Sequence, residues 1–517
     1  MKMRVSLSFT FLWTIAQRFG HTRAALQFPL NKGSINLGEN VVVDRPLGTE
    51  DPWLHRIDPS ILQPVPLAVN GNSTNKVDLV YFGDGYRKDE QATFLRDAQF
   101  LTDTLLQPGG AFSPVRDLLN FWAVLLPSQE SGIGTHGKPR NTTFGLYRPG
   151  EELRAVFYAH PERVAAACNA LNDVNFAGGC DEPILLGNDP FYGGLGGTPT
   201  VITASRNNGV QVLRHELGHT LIPVGEEYDG GYAYFGVNAA AHTNTTKQDV
   251  TWRQWLSDPK ARRTGRVRLE DSRVAVQQYP WFDLSNRSYT VRFEDHGEAY
   301  PTALLRFSVS GIPTEHRLMV KLDGEEVKYE FSKDHRGSLD RTWVQIELEH
   351  GLRGVQSKTS RHCLEFTASA ASEKVRPMLS SVEVIEYGPE ERFNKMPGHI
   401  GAYPTVDIDG GVTLRPTNEG CLMRDVTVPT DTSSDNSATI AITLLNMTDA
   451  TYALRWYRGT TEINTFANQT TIRVPGRAES TVAAWYTAEV ELSLPQVRLE
   501  GREEMKENVK IWYQGCD

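Results

Sequence analysis

Apolar positions change their period along the chain, and each change predicts a different kind of element. From Val77 the run VDLVYFGDGY is almost continuously apolar until Gly83-Asp84-Gly85, which predicts a buried strand ended by a turn. DEQATFLRDAQFLTDTLL follows, with Phe94, Ala98, Leu101 and Leu105 at helical spacing and Asp89 as candidate N-cap. Short apolar runs at FWAVLLPS near Phe121, at Ile184 to Leu186 and at Thr198 to Ala204 predict three more strands. A glycine-rich loop separates the last two. Next, Val210, Leu213, Leu217 and Leu221 fall within one quarter of a helical wheel. Strands alternating with helices predict an α/β or α+β core.

From about Asp271 to Tyr387 the period becomes two. Ala303, Leu305, Phe307 and Val309 recur at every second position, as do Val344, Ile346 and Leu348, and then Val382 and Val384. Leu318, Val320 and Leu322 run into Asp323-Gly324 and return through Val327, Tyr329 and Phe331, a hairpin signature. Short strands with turn signals between them predict a β-sandwich of about 115 residues. The same style returns after Pro429, at Ile440, Ile442 and Leu444 and at Tyr452, Leu454 and Trp456, predicting a second β-domain. Between the two β-regions, MPGHIGAYPTVDIDGGVTLRPTNEGCLMRD is turn-rich and has neither period.

Composition narrows the class. The chain has 517 residues, 39% hydrophobic and 22% charged, which is ordinary for a globular protein of about three domains. A formal charge of −10 argues against nucleic-acid binding and its need for phosphate-neutralising cations. The local exception is KARRTGR with its five cations from Lys260 to Arg268, read as an anion or dibasic processing site or as a solvated loop; the loop is favoured.

At the N-terminus, Lys2 and Arg4 precede an apolar run from Val5 to Ala16 and small residues near Thr22 to Ala25. That layout predicts a secretory signal peptide, with a run too short to span a bilayer. No later run suits a membrane helix, and no membrane partner is expected. Six Asn-x-Ser/Thr acceptors, at Asn72, Asn141, Asn244, Asn286, Asn446 and Asn468, suit an extracellular glycoprotein. Of the five cysteines, Cys168 and Cys180 are close enough in sequence to form a disulfide in an oxidising compartment. Cys363, Cys421 and Cys516 are too scattered to pair by spacing.

The chemistry concentrates in RHELGHTLIPVGEEYDG, Arg214 to Gly230. His215 and His219, at i and i+4, share the polar face of the predicted helix, where two imidazoles reach one metal ion. Glu216 lies beside them, placed to act on a water activated by that metal. Pro223 and Gly225 release the chain from the helix one turn later. Glu226, Glu227 and Tyr228 follow, and supply a third oxygen ligand. A ligand glutamate on a distant helix is a poor alternative, since no glutamate occurs from Tyr228 to Leu269. Metzincins place His or Asp where this sequence has Gly225, one residue before Glu226, so the loop reads as metzincin-like with a one-residue difference.

HELGHTLIPVGEEY resembles the zinc motif of the IgA-peptidase family of secreted metallopeptidases, HExGH followed by an acidic residue and Glu-Tyr. VDLVYFGDGY, NFWAVLLPSQESG, the YGG at Tyr192 and Trp252 fit the same order, and LRPTNEGCLMR resembles the family's Met-turn segment. The likeness covers Asn75 to Leu269 and Asn394 to Asp425. It implies His215, His219 and Glu226 as Zn2+ ligands with Glu227 the alternate, Glu216 as catalytic base, and Met423 as a structural residue beneath the metal. Tyr228 either supports the loop or polarises a carbonyl, with packing favoured.

The expected fold is α+β: a metzincin-like zinc peptidase core, an inserted β-sandwich and a C-terminal β-sandwich-like domain. The expected division is a signal peptide at 1–25, an extended segment at 26–74 and the peptidase core at 75–270. An inserted β-sandwich at 271–389, a Met-turn segment at 390–428 and a C-terminal β-domain at 429–517 follow. The expected function is a secreted zinc endopeptidase acting on protein or peptide, with the strand around Thr198 to Ala204 as the edge that receives the substrate. The alternative is a secreted glycoprotein whose β-domains bind carbohydrate or protein, with the zinc site structural.

Overall fold

In the computed structural model, the described residues run from 62 to 424 except 74–75, 108–111, 174–177, 223, 233, 244, 246, 298, 353–359, 370–374 and 397. Beyond 424 they comprise 438–441, 451–458, 461–464, 467, 471–474, 484–493 and 506–513. The expected signal peptide, Pro223, Cys516 and the acceptors Asn244, Asn446 and Asn468 lie outside them. The chain is mixed α+β, with many strands and few helices.

The first sheet is built from strands β1 (Val65–Ala68), β2 (Val77–Asp84), β3 (Leu119–Val124), β4 (Glu182–Gly187), β5 (Gly194–Leu195) and β6 (Thr200–Thr203). Its order is β1-β3-β2-β4-β6-β5, with β3, β2, β4 and β6 parallel and the short edges β1 and β5 antiparallel. Central parallel strands are covered on both faces, so their sequences are continuous apolar runs. β3 and β4 are buried along their whole length. Helices α1 (Gln91–Leu105) and α3 (Gly209–Leu221) share one core cluster with Leu79, Tyr81, Ile184 and Ile202. On the other face α2 (Pro161–Asp173) packs with Val80, Phe82, Leu185 and Val201. The Cys168–Cys180 disulfide ties α2 to the approach to β4, with Cα atoms 5.4 Å apart.

Asp89 is not the cap of α1. It lies inside the short 3-10 turn Lys88–Glu90, and its carboxylate is drawn to the Arg87 guanidinium at 3.0 and 3.1 Å. Glu90 instead accepts from the Arg87 backbone N–H at 2.8 Å. The KARRTGR cations fall on and after a one-turn helix, Pro259–Thr264, capped by Asp258 and closed by Gly265 at φ 71°. Arg262, Arg263, Arg266 and Arg268 are exposed there, as a solvated segment requires. Asn72, Asn141 and Asn286 are also exposed.

The period-two region forms two antiparallel sheets around one core. β7 (Ser272–Gln278), β13 (Met378–Tyr387), β9 (Thr302–Ser310) and β11 (Thr342–Leu348) make one. β8 (Ser288–Glu294), β12 (Arg361–Ala368) and β10 (Leu318–Leu322) make the other. Leu305, Phe307, Val309, Val320, Phe366 and Val382 meet between them. Asp323 and Gly324 take positive φ, 54° and 89°, at the expected hairpin turn. The return strand is shorter than expected, Glu325–Glu326 with one further bond from the Val327 N–H to the Val320 carbonyl; beyond it Tyr329 packs onto Phe307 and gives its hydroxyl to the Leu318 carbonyl.

The outer face of β9 is buried too, against expectation. Leu304, Arg306, Ser308 and Ser310 point away from the core yet are covered. They face the segment that carries β14 (Tyr403–Val406) and β15 (Val412–Arg415), and the cleft described below. Beyond Arg424 the described residues form antiparallel strands, Ala438–Ala441 with Thr471–Val474 and Thr451–Arg458 with Ala484–Ser493 and Lys506–Tyr513. Among the described residues no helix is long and apolar enough to cross a membrane.

Candidate metal centre

Helix α3 buries Val210, Val212, Leu213 and Leu217 against the sheet, which turns His215, Glu216 and His219 toward a cleft. It ends at Leu221, and Ile222 is extended at φ −133°, ψ 139°, the conformation favoured before proline. The chain then folds back on its own helix. The His219 Nδ1 donates to the Val224 carbonyl at 2.9 Å, and the Asn238 side chain bonds both the N–H and the carbonyl of Gly225.

That return brings Glu226 between the two histidines. Its carboxylate oxygens lie 3.3 Å from His215 Nε2 and 3.1 Å from His219 Nε2, and the two Nε2 atoms are 3.2 Å apart. Donor atoms at zinc–ligand lengths of about 2.0–2.1 Å in a tetrahedral shell stand about 3.3 Å from one another. The triangle fits one such ion. The other ring nitrogens agree with this: His215 Nδ1 donates to the Leu422 carbonyl at 3.0 Å, as His219 Nδ1 does to Val224. With a metal bound, each ring would keep its proton on Nδ1 and present a lone pair at Nε2, the tautomer a metal needs.

Charge follows the same geometry. Burial disfavours a charged His215, but the Glu226 carboxylate outweighs it and brings the group up to about 9 in the metal-free protein. Burial would raise Glu226, and His215 and His219 overcome that, holding it down to about 2. Burial pushes Glu216 up to about 7. The Glu216 carboxylate also falls within 4.8 Å of the two histidines. Glu226 is the closer carboxylate to both Nε2 atoms, which leaves Glu216 the place of a base rather than a ligand.

Glu227 points elsewhere. It is buried against the Asn238 amide at 2.9 Å, and its backbone N–H donates to the Met423 carbonyl at 3.0 Å. Met423 packs beneath α3 at Gly218, where an added Cβ would come within 2.7 Å of the Met423 Cε. The Tyr228 ring lines the cleft, edge to face with Tyr279 at 6.2 Å.

Several supports carry no local signal in the sequence. Arg424, fully buried, joins Asp229 at 2.8 Å, Glu419 at 3.2 Å and Glu383 at 3.5 Å, binding the loop after α3 to the turn-rich segment and to β13. Asp340, from the loop before β11, accepts from Ser205 Oγ, Asn208 Nδ2 and the Tyr192 N–H at 2.6, 2.8 and 2.5 Å. The two-sheet unit is thereby fastened to the start of α3. A clustering of charged and small residues in LRPTNEGCLMR is the sole hint of the first network; the second has none.

The cleft measures about 1650 Å³. One wall is α3 with Gly194 to Gly197; the other is the two-sheet unit, through residues 274–281, Arg341 and Trp343. Exposed Tyr232, Phe235 and Ile408 form its apolar lip. The expected edge strand is corrected here: β6 is interior, because the glycine-rich loop doubles back and adds β5 outside it. Gly194 and Gly196 let β5 and its continuation touch α3, since a Cβ on either would sit 3.0 Å from the Glu216 carboxylate.

The model of the family described as IgA peptidase M64 matches residues 65–266, from β1 through the zinc-type motif and its returning loop. This supports the family resemblance carried by HELGHTLIPVGEEY. A comparison with curated proteins gives no match.

Proposed function

We propose, from the family match over residues 65–266 and the ligand triangle, that this protein is a secreted zinc-dependent endopeptidase. The observation that carries the reading is the convergence of His215 Nε2, His219 Nε2 and the Glu226 carboxylate, whose Oε2 lies 3.3 Å from His215 and Oε1 3.1 Å from His219 with the two nitrogens 3.2 Å apart, and with both Nδ1 protons given to carbonyls. Those three residues would hold the zinc, which when bound would supply a Lewis acid for the scissile carbonyl and the attacking water. Glu216 accepts the proton of that water and returns it to the departing amine. Its burial among Gly194, Gly196 and the histidines keeps it near neutrality, able to do both. An extended peptide lies along β5, the edge beside the cleft, by adding a strand to the sheet.

The architecture is read as a metzincin-like core at 75–270, completed by the Met-turn segment at 390–428. A β-sandwich is inserted at 271–389 and a β-domain follows from 429. The Met423 contact beneath Gly218 and the Leu422 carbonyl on His215 support the Met-turn part. The disulfide and the exposed Asn72, Asn141 and Asn286 support secretion. The experiment is cleavage of an unfolded protein substrate by wild type, by chelator-treated protein and by Glu216→Gln. Wild type cleaves, the other two fall at least a hundredfold, and zinc restores only the chelated sample. A glutamine variant as active as wild type overturns the mechanism.

A further inference from the structure

The wall opposite α3 carries positive charge that the reaction does not use. Arg341 is only 7% exposed, and among the described residues no carboxylate pairs with its guanidinium. Its donors reach Ser308 Oγ at 3.2 and 3.0 Å and, weakly, the Leu153 carbonyl at 3.4 Å. A guanidinium has five N–H donors, so two stay unspent. The cation is held instead among three rings, with centroids of Trp343, Trp281 and Tyr192 at 4.5, 4.9 and 5.0 Å.

Arg154 stands over the same Trp281 at 5.4 Å, and its Nε is buried without an acceptor. Trp281 itself takes φ 44°, a left-handed conformation uncommon for a bulky residue and concentrated at functional sites. Buried cations ordinarily meet anions, as Arg424 meets Asp229 and Arg306 meets Glu383 and Glu419. Among the described residues Arg214 on α3 is also buried without an ion pair, but it does not line the cleft. Arg341 and the half-buried Arg154 do line the cleft. Asp340, next in sequence to Arg341, spends its oxygens on Ser205, Asn208 and backbone N–H groups, and Glu152 lines the cleft without an ion pair to either arginine. Tyr192 lines the same cleft as Glu216 and Glu226 and carries Arg341 over its ring.

We propose that Arg341 and Arg154, framed by Trp281, Trp343 and Tyr192, form a substrate subsite for a carboxylate, selecting peptides with an acidic side chain near the scissile bond. The two-sheet unit supplies Arg341, Trp281 and Trp343, so it acts as a specificity wall rather than a remote appendage. The inference rests on the peptidase reading for which bond is cut, but the binding site stands on its own residues. A free C-terminal carboxylate has the same chemistry as a glutamate side chain, and the two are separable.

The test measures binding to the full chain carrying Glu216→Gln, so that peptides are not consumed. The ligands are acetylated, amidated peptides in which one glutamate is moved along a neutral frame, each matched to its glutamine twin, with a third all-glutamine peptide left unblocked at its C-terminus. One glutamate position is expected to bind at least about tenfold tighter than its twin, with the advantage shrinking at high salt. Arg154→Gln and Arg341→Gln should each bring the pair within about twofold. If Arg341→Gln does not fold, Arg154→Gln alone decides. Preference for the unblocked peptide without any glutamate preference overturns the side-chain assignment in favour of a terminal carboxylate. Equal binding of all pairs, or an advantage that survives Arg154→Gln, overturns the subsite. Selective binding by protein whose wild type cleaves nothing would leave the subsite standing and remove the peptidase reading; cleavage without selectivity would do the reverse.

Discussion

The Nδ2 of Asn238 donates to Glu227 Oε1 at 2.9 Å, and this bond separates two adjacent glutamates into different roles. Successive side chains in an extended segment leave on opposite sides. With Asn238 gripping both Gly225 and Glu227, Glu226 is the one turned to His215 and His219.

Glu226→Gln is therefore expected to lower zinc affinity by at least about a hundredfold, since it replaces a charged ligand. Glu227→Gln should change it by less than about threefold, because the amide keeps the shape of a buried group already bonded to Asn238. Competition with a chromophoric chelator measures both. Equal losses, or the reverse order, would exchange the two roles.

Asp340 reaches from the two-sheet unit to the start of α3, and truncating it leaves Ser205, Asn208 and the Tyr192 N–H without their acceptor. Asp340→Ala is expected to cost about 3 kcal/mol, read from denaturant midpoints at unchanged slope. Because α3 carries both histidines, peptide cleavage should fall with it. A loss under about 0.5 kcal/mol would mean that the contact does not hold the two parts together.

Acid should weaken the network beneath the cleft. Burial would raise Glu419, but Arg306, Arg424 and Arg415 outweigh it and hold the carboxyl at about 2. A carboxyl lowered on folding stabilises the protein above its unfolded value, about 4.3, and loses that contribution as pH falls toward 2. Wild type should lose stability on acidification across that window, on the order of 3 kcal/mol from this group. Glu419→Gln should be less stable at pH 7 and show a flatter acid limb. A variant with the same acid limb as wild type contradicts the assignment.

Much of this was legible in one dimension because periodicity reports which face a neighbour covers. The apolar quarter of α3 placed His215, Glu216 and His219 on the open side, and Ile222 before Pro223 marked where the helix had to stop. Alternation in β9 likewise gave Leu305, Phe307 and Val309 as inward residues. It hid the other face, where Arg306 and Ser308 are polar yet buried, since a strand pattern cannot tell solvent from a second packed unit. The edge-strand error has a similar cause: a glycine-rich stretch reads as loop, and only the tertiary fold lays Gly194–Leu195 beside β6. Asn238, Asp340 and Arg424 escaped because each acts on partners distant in sequence, through single polar side chains.

The central claim is that His215, His219 and Glu226 grip one zinc ion. Elemental analysis of the purified full chain, offered zinc and then exchanged into metal-free buffer, tests it most directly, beside the folded His215→Ala/His219→Ala variant. About one zinc per wild-type chain and none in the variant is the expected result. Folded wild type that takes up no zinc, or a variant that keeps it, would contradict the account.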